Sequence, residues 1–138
     1  MPSFGILDAG PMVAWAMADE RRHNTVLALL RRTDLVVIVP ALAIAEAAYL
    51  VQTRLGAPAE ATFIRGLADY RIESPSRPDL LRMDELMRQY ADFPLGAADA
   101  SIVALAERLE TDALITFDQR HFRAVRPRHC ESFRLLPE

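Results

Sequence analysis

Two short runs of strand-forming residues end on an acid, and this repeated ending constrains the fold more than any other feature of the chain. Leu114-Ile-Thr-Phe leads straight into Asp118, and Phe4-Gly-Ile-Leu leads into Asp8 near the opposite end. Short runs of apolar and β-branched residues suit strands covered on both faces, as in a parallel sheet. An ionised carboxylate is costly to bury without a partner, so an acid at the end of such a strand marks the place where the chain leaves the core.

The segments between these strands alternate in kind. Residues 4–8 read as a strand, and Pro11 suits the first turn of a helix running to about residue 18. A helical piece over 25–32, a β-branched strand over 35–39 and a helix over 41–55 follow, with Pro40 turning the chain between the last two. Gly56 and Pro58 end that helix. Helix over 59–68, a short strand over 70–73, an amphipathic helix over 79–90 with Leu80, Met83, Leu86 and Met87 on one face, helix over 96–109, and strands over 113–117 and 133–135 complete the reading. Strands separated by helices imply an α/β fold, a mostly parallel central sheet flanked by helices, formed by residues 1–138 as a single domain. In that architecture ligands bind at the carboxyl ends of the strands, where Asp8 and Asp118 both emerge.

Composition narrows the chemistry. All sixteen basic residues are arginine, which excludes mechanisms that need a lysine, including P-loop and Schiff-base chemistry. A single cysteine, Cys130, forms no internal disulfide, and His23, His121 and His129 share no metal-ligand spacing. These histidines read as surface or packing residues, and Trp15, Phe4, Met83 and Met87 as core. The longest apolar run, residues 35–51, is interrupted by Pro40 and carries Glu46, so it is no membrane span; the expected location is cytoplasmic. A net charge of −3 argues against a generally basic nucleic-acid binder, yet Arg120, Arg123, Arg126, Arg128 and Arg134 gather near one end with only Glu131 against them.

Most of the nineteen acids sit beside arginines or other charges and read as solvated faces, as in Asp19-Glu20-Arg21-Arg22, Asp84-Glu85 and Glu107-Arg108. Glu46 differs. It stands mid-helix among Leu42, Ala43, Tyr49 and Leu50 with no other charge between residues 41 and 51. Asp99 lies in similarly apolar surroundings in the first turn of its helix, where capping alone would account for it. If Asp8, Glu46, Asp99 and Asp118 converge, their repulsion must be relieved by protons or by a divalent cation. Oxygen-only ligands favour magnesium or manganese, and carboxylates holding such ions suit phosphodiester hydrolysis.

Asp8 after a strand, Pro40-Ala-Leu-Ala-Ile-Ala-Glu46, Pro94-Leu-Gly-Ala-Ala-Asp99-Ala-Ser101 and Leu114-Ile-Thr-Phe-Asp118-Gln-Arg-His-Phe122 together resemble the PIN-domain ribonucleases, most closely the bacterial VapC toxins. The resemblance spans nearly the whole chain. It implies a PIN-like fold and a Mg2+- or Mn2+-dependent endoribonuclease that cuts a structured RNA, a transfer or ribosomal RNA, and arrests translation. It further implies a VapB-type antitoxin as partner and a homodimer. Carried over by position, Asp8, Asp99 and Asp118 are metal ligands, Glu46 completes the catalytic set by holding metal or orienting water, Ser101 and Thr116 match positions that support the ligands, and Arg120 and Arg123 contact RNA. The chain departs from the family at Ala9, where a threonine or serine commonly follows the first aspartate. The alternative is therefore a catalytically impaired PIN-like module that binds RNA or an antitoxin. A phosphoacceptor receiver domain would need a lysine, and a haloacid-dehalogenase-type phosphatase an aspartate where Gly10 stands.

Overall fold

Successive side chains along the strands point into two different cores, and this alternation sets the layering. The computed structural model describes residues 2–138. Strands β1 (Ser3–Leu7), β2 (Leu35–Pro40), β3 (Arg71–Glu73), β4 (Ala113–Ile115) and β5 (Arg134–Leu136) form one sheet in the order β3-β2-β1-β4-β5, with every pairing parallel. The register aligns Ile38, Ile6, Leu114 and Leu135 across one face and Leu7, Ile115 and Leu136 across the other. On the second face lie α1 (Ala9–Ala16), α2 (His23–Leu30), α3 (Ala41–Leu55) and α4 (Ala57–Leu67), through Met12, Leu29, Ala47 and Phe63. The first face is covered by α5 (Arg77–Gln89), α6 (Ala97–Arg108) and α7 (Gln119–Ala124), through Leu86, Ile102 and Phe122. Strands hydrophobic on both sides are thus sandwiched between helices.

Topology fixes where a ligand can sit. From β1 the chain steps outward through β2 to β3, then returns to place β4 on the other side of β1. The connections leaving β1 and β4 diverge at their carboxyl ends, which opens a crevice between them. Asp8 and Thr116 are the first residues past those two strands. No helix of the described residues is long and apolar enough to cross a membrane.

The structure departs from the sequence reading in ways that have local causes. Helix α1 begins at Ala9, before Pro11, because the Asp8 side chain accepts a hydrogen bond from the Ala9 amide and caps the helix. Helix α7, absent from the sequence reading, starts the same way, with Asp118 accepting from the His121 amide. Helix α5 buries Asp79, Met83 and Leu86, whereas Leu80 is 54% and Met87 39% exposed. Its inward stripe is narrow because Asp79 is drawn in by partners: Ser76 and Asp79 form a reciprocal capping box, and Asp79 accepts from Arg108 Nε of α6 at 2.9 Å. Glu107, expected on a solvated face, is instead paired with Arg82 at 2.8 Å, with side-chain exposures of only 11% and 12%. These contacts tie α5 to α6, the helix that carries Asp99.

Asp79→Ala removes one half of the capping box together with one of the partners of Arg108, which also bonds Glu73 and the Ser74 carbonyl. It should lower folding stability by about 2 kcal/mol, read as a reduced urea midpoint at unchanged slope.

Candidate active site

The crevice between β1 and β4 is a cavity of about 640 Å³ whose lining includes Asp8, Arg22, Glu46, Asp99, Phe117 and Asp118. Small residues at positions 9, 10 and 96–98 keep its walls low. All four acids singled out in the sequence therefore face one space, although they come from the end of β1, the middle of α3, the first turn of α6 and the loop after β4.

Each carboxylate is held differently. Asp8 Oδ1 accepts from the Ala9 amide at 2.8 Å, and Oδ2 accepts from the Thr116 hydroxyl at 2.8 Å. The same hydroxyl, on a fully buried side chain, accepts from the Asp118 amide at 3.0 Å. Thr116 therefore links the two strand ends through one oxygen. Asp118 Oδ1 takes a hydrogen bond from His121 Nδ1 at 2.9 Å, one turn into α7. Glu46 projects from the exposed side of α3 at the rim. Asp99 sits in the first turn of α6 behind Gly96, whose α-carbon faces open space.

The electrostatics record their proximity. Burial, then the charges of Asp8, Asp118 and Glu46, push the Asp99 carboxyl up to about 6, with His121 acting in the opposite sense. Burial also raises Asp8, against the hydrogen bonds from Thr116 and Ala9, and Asp118 adds to the rise. Glu46 is raised by burial and then by Asp8. The helix N-terminus beside Asp99 favours its charge, but burial and three neighbouring acids outweigh it. Such a site gains from any positive charge brought into it.

The donor set fits a hard divalent cation, since every acidic group facing the cavity offers oxygen. Among the described residues no three acidic, histidine or cysteine side chains form a closed chelate. The open arrangement suits Mg2+ or Mn2+, for which direct bonds to one or two carboxylates with water completing the shell are ordinary.

The remaining sequence-derived candidates lie elsewhere. Ser101 is buried and donates to the Ala98 carbonyl at 2.6 Å, bracing the first turns of α6 without reaching the cavity. Arg120 lies over the Phe93 ring, 5.4 Å from its centroid, and Arg123 bonds Gln119, both outside the cavity lining. Arg22, Phe117 and His121 are the features that sequence reasoning passed over. Arg22 was hidden in a charged run that reads as a solvated face. His121 had a detectable signal, since it stands three residues after a helix-capping aspartate, within reach of its side chain.

A carboxyl with a higher pKa in the folded chain than in the unfolded one binds its proton more tightly when folded. Its contribution to stability is full below the unfolded value and is lost as pH rises through about 6. In metal-free buffer, Asp99→Asn should therefore raise the melting temperature at pH 7.5 by roughly 2–5 °C relative to the parent chain. The gap should close towards pH 4, which thermal melts across that range would test.

Comparison with known proteins agrees with the layout. The family model for the PIN domain matches residues 6–126. Ribonuclease VapC26 of Mycobacterium tuberculosis is 31% identical over 134 residues, covering 96% of this chain and 99% of that protein. Among solved structures, M. tuberculosis VapC20, described as a sarcin-ricin loop cleaving toxin, superposes with a TM-score of 0.74 at 20% identity, over 83% of this chain and 90% of its own. The VapBC2 complex of Rickettsia felis, bound to a fragment of its promoter DNA, gives 0.71 at 17% identity over 96% of each chain. These two likenesses are of fold.

Proposed function

The chain belongs to the PIN-domain family, with VapC ribonucleases among its relatives, and on that premise we propose that it is a divalent-metal-dependent endoribonuclease and the toxin of a type II toxin-antitoxin pair. The observation that carries this reading is the convergence of Asp8, Glu46, Asp99 and Asp118 on one cavity at the switch point of the sheet, with the Asp99 carboxyl pushed up to about 6 by burial and then by the neighbouring acids. Acids gathered this way store repulsion that a bound cation relieves, which is the arrangement required to concentrate Mg2+ or Mn2+ beside a phosphodiester.

Asp8, Asp99 and Asp118 would hold the metal, and its chemistry when bound is to polarise the phosphate and activate a water. The chain's own groups do the rest. Thr116 fixes the Asp8 carboxylate by donating to Oδ2, which gives Asp8 a hydroxyl partner although position 9 is alanine. Its second bond, from the Asp118 amide, keeps the two strand-end loops in register. Glu46, raised above its ordinary value and open to solvent, is suited to accept a proton from the attacking water. His121 steadies the Asp118 carboxylate from its outer side.

The VapC20 and VapBC2 parallels support a structured RNA as substrate, a transfer or ribosomal RNA whose cleavage inhibits translation, and a VapB-type antitoxin as partner. Residues 1–138 would act as one PIN-like domain in the cytoplasm, as a homodimer. Arg120 and Arg123, outside the cavity, would contact RNA flanking the cut.

Purified protein with Mn2+ should cut total bacterial RNA into discrete fragments. EDTA should abolish the cleavage, and Asp8→Asn or Asp99→Asn should slow it by at least about 100-fold. Millimolar Mn2+ should also raise the melting temperature of the parent chain. Cleavage that persists in both variants, or a melting temperature indifferent to Mn2+, would overturn the metal assignment.

A further inference from the structure

The cavity that gathers the acids also contains one cation among the described residues, and its two Nη nitrogens have no hydrogen-bond partner there. Arg22, from the segment between α1 and α2, is the only basic residue lining the cavity among the described residues. Its guanidinium carbon stands 3.6 Å from the centroid of the Phe117 ring, a stacked contact that fixes the plane of the group. Glu20 grips it from behind, taking Nε at 3.0 Å on one oxygen and the Arg22 backbone amide at 2.8 Å on the other. Neither Nη nitrogen has a hydrogen-bond partner among the described residues, and 41% of the side chain is exposed.

The stack is built into the fold. Phe117 follows β4 and lies against Gly10, where a β-carbon would come within 3.2 Å of its ring. Gly10 thus leaves room for the ring that carries the arginine. Phe117 and Glu20 are the two side chains that hold the Arg22 guanidinium. Among the described residues the ion pair of Arg22 is with Glu20, and no hydrogen bond or ion pair joins it to Asp8, Glu46, Asp99 or Asp118. Its charge is therefore not consumed in neutralising the metal-binding carboxylates.

We propose that Arg22 is the phosphate-holding residue of this cavity, presenting its two Nη groups to non-bridging oxygens of the RNA phosphate brought to the acids. The proposal rests on the ribonuclease reading above. A phosphate approaching carboxylates that one divalent ion does not fully neutralise needs a further positive charge at the cavity wall. A guanidinium held flat on an aromatic ring supplies it with the paired donors that match phosphate geometry. The negative charge that grows on those oxygens during hydrolysis strengthens the same contact.

The test compares the parent chain with Arg22→Gln, Arg22→Lys and Phe117→Leu. Binding of a fluorescein-labelled, mixed-sequence single-stranded RNA is measured with Ca2+ across a salt series, and cleavage of total bacterial RNA with Mn2+. Arg22→Gln should weaken binding about 5- to 20-fold, lower the slope of log K against log salt by about 0.7, and slow cleavage roughly 100-fold. Its metal-free melting temperature and its rise with Mn2+ should match the parent. Arg22→Lys should recover part of the loss, and Phe117→Leu should fall between parent and Arg22→Gln. A parent that cleaves while Arg22→Gln keeps its salt slope and its rate within twofold would overturn the Arg22 role alone. So would loss of the Mn2+ response in Arg22→Gln, which would mark a structural residue. A parent that binds RNA through Arg22 but leaves it uncut would overturn the ribonuclease reading and keep this one; a parent that neither binds nor cuts overturns both.

Discussion

The parallel pairing of β1 with β4 brings two aspartates to the same edge of the sheet, and a single threonine hydroxyl keeps them there. Thr116 donates to Asp8 and accepts from the backbone of Asp118, so the position of each loop depends on the other. The pairing that makes this possible joins residues more than a hundred positions apart, with Leu7 opposite Ile115. Without that register the acids would sit in separate loops.

Acidic residues behave in two opposite ways in this molecule, and the difference lies in what surrounds them. Glu107, largely buried between α5 and the segment after α7, is held below its ordinary pKa because its bonds to Arg82 and to the Arg128 amide outweigh its burial. Asp99, also largely enclosed, is pushed up because burial and other carboxylates meet it. The first arrangement spends its charge on holding two helices together. The second leaves charge uncompensated at the mouth of a cavity, which costs stability in the chain alone.

The layered fold was legible because its signals are local. Short apolar strands, the β-branched run of β2, Pro40 before α3 and Gly56 after it give the alternation directly, and α3 occupies residues 41–55 as read from the sequence. The misplacements share a cause. Pro11 marks a first turn but not the start of α1, which the Asp8 cap places at Ala9, and the six residues of α7, three of them charged or histidine, give little periodicity. Spacing puts Leu80 and Met87 on the apolar face of α5, whereas the helix turns Asp79 inward through contacts with Ser76 and Arg108 that no periodicity contains.

Local pattern alone was enough for the kinds and order of the elements apart from α7, and for the four acids whose apolar neighbours set them apart, because helical and strand periodicity and the cost of burying charge act over a few residues. Tertiary structure decided which of those acids share a cavity, that Thr116 joins two of them, and that Ser101 braces α6 away from the site. It also decided the place of Arg22, which in the chain is one of four consecutive charges and in the fold lies on an aromatic ring ninety-five positions away. Contacts of that kind depend on strand order and crossover, which are properties of the assembled sheet and leave no trace in the local pattern.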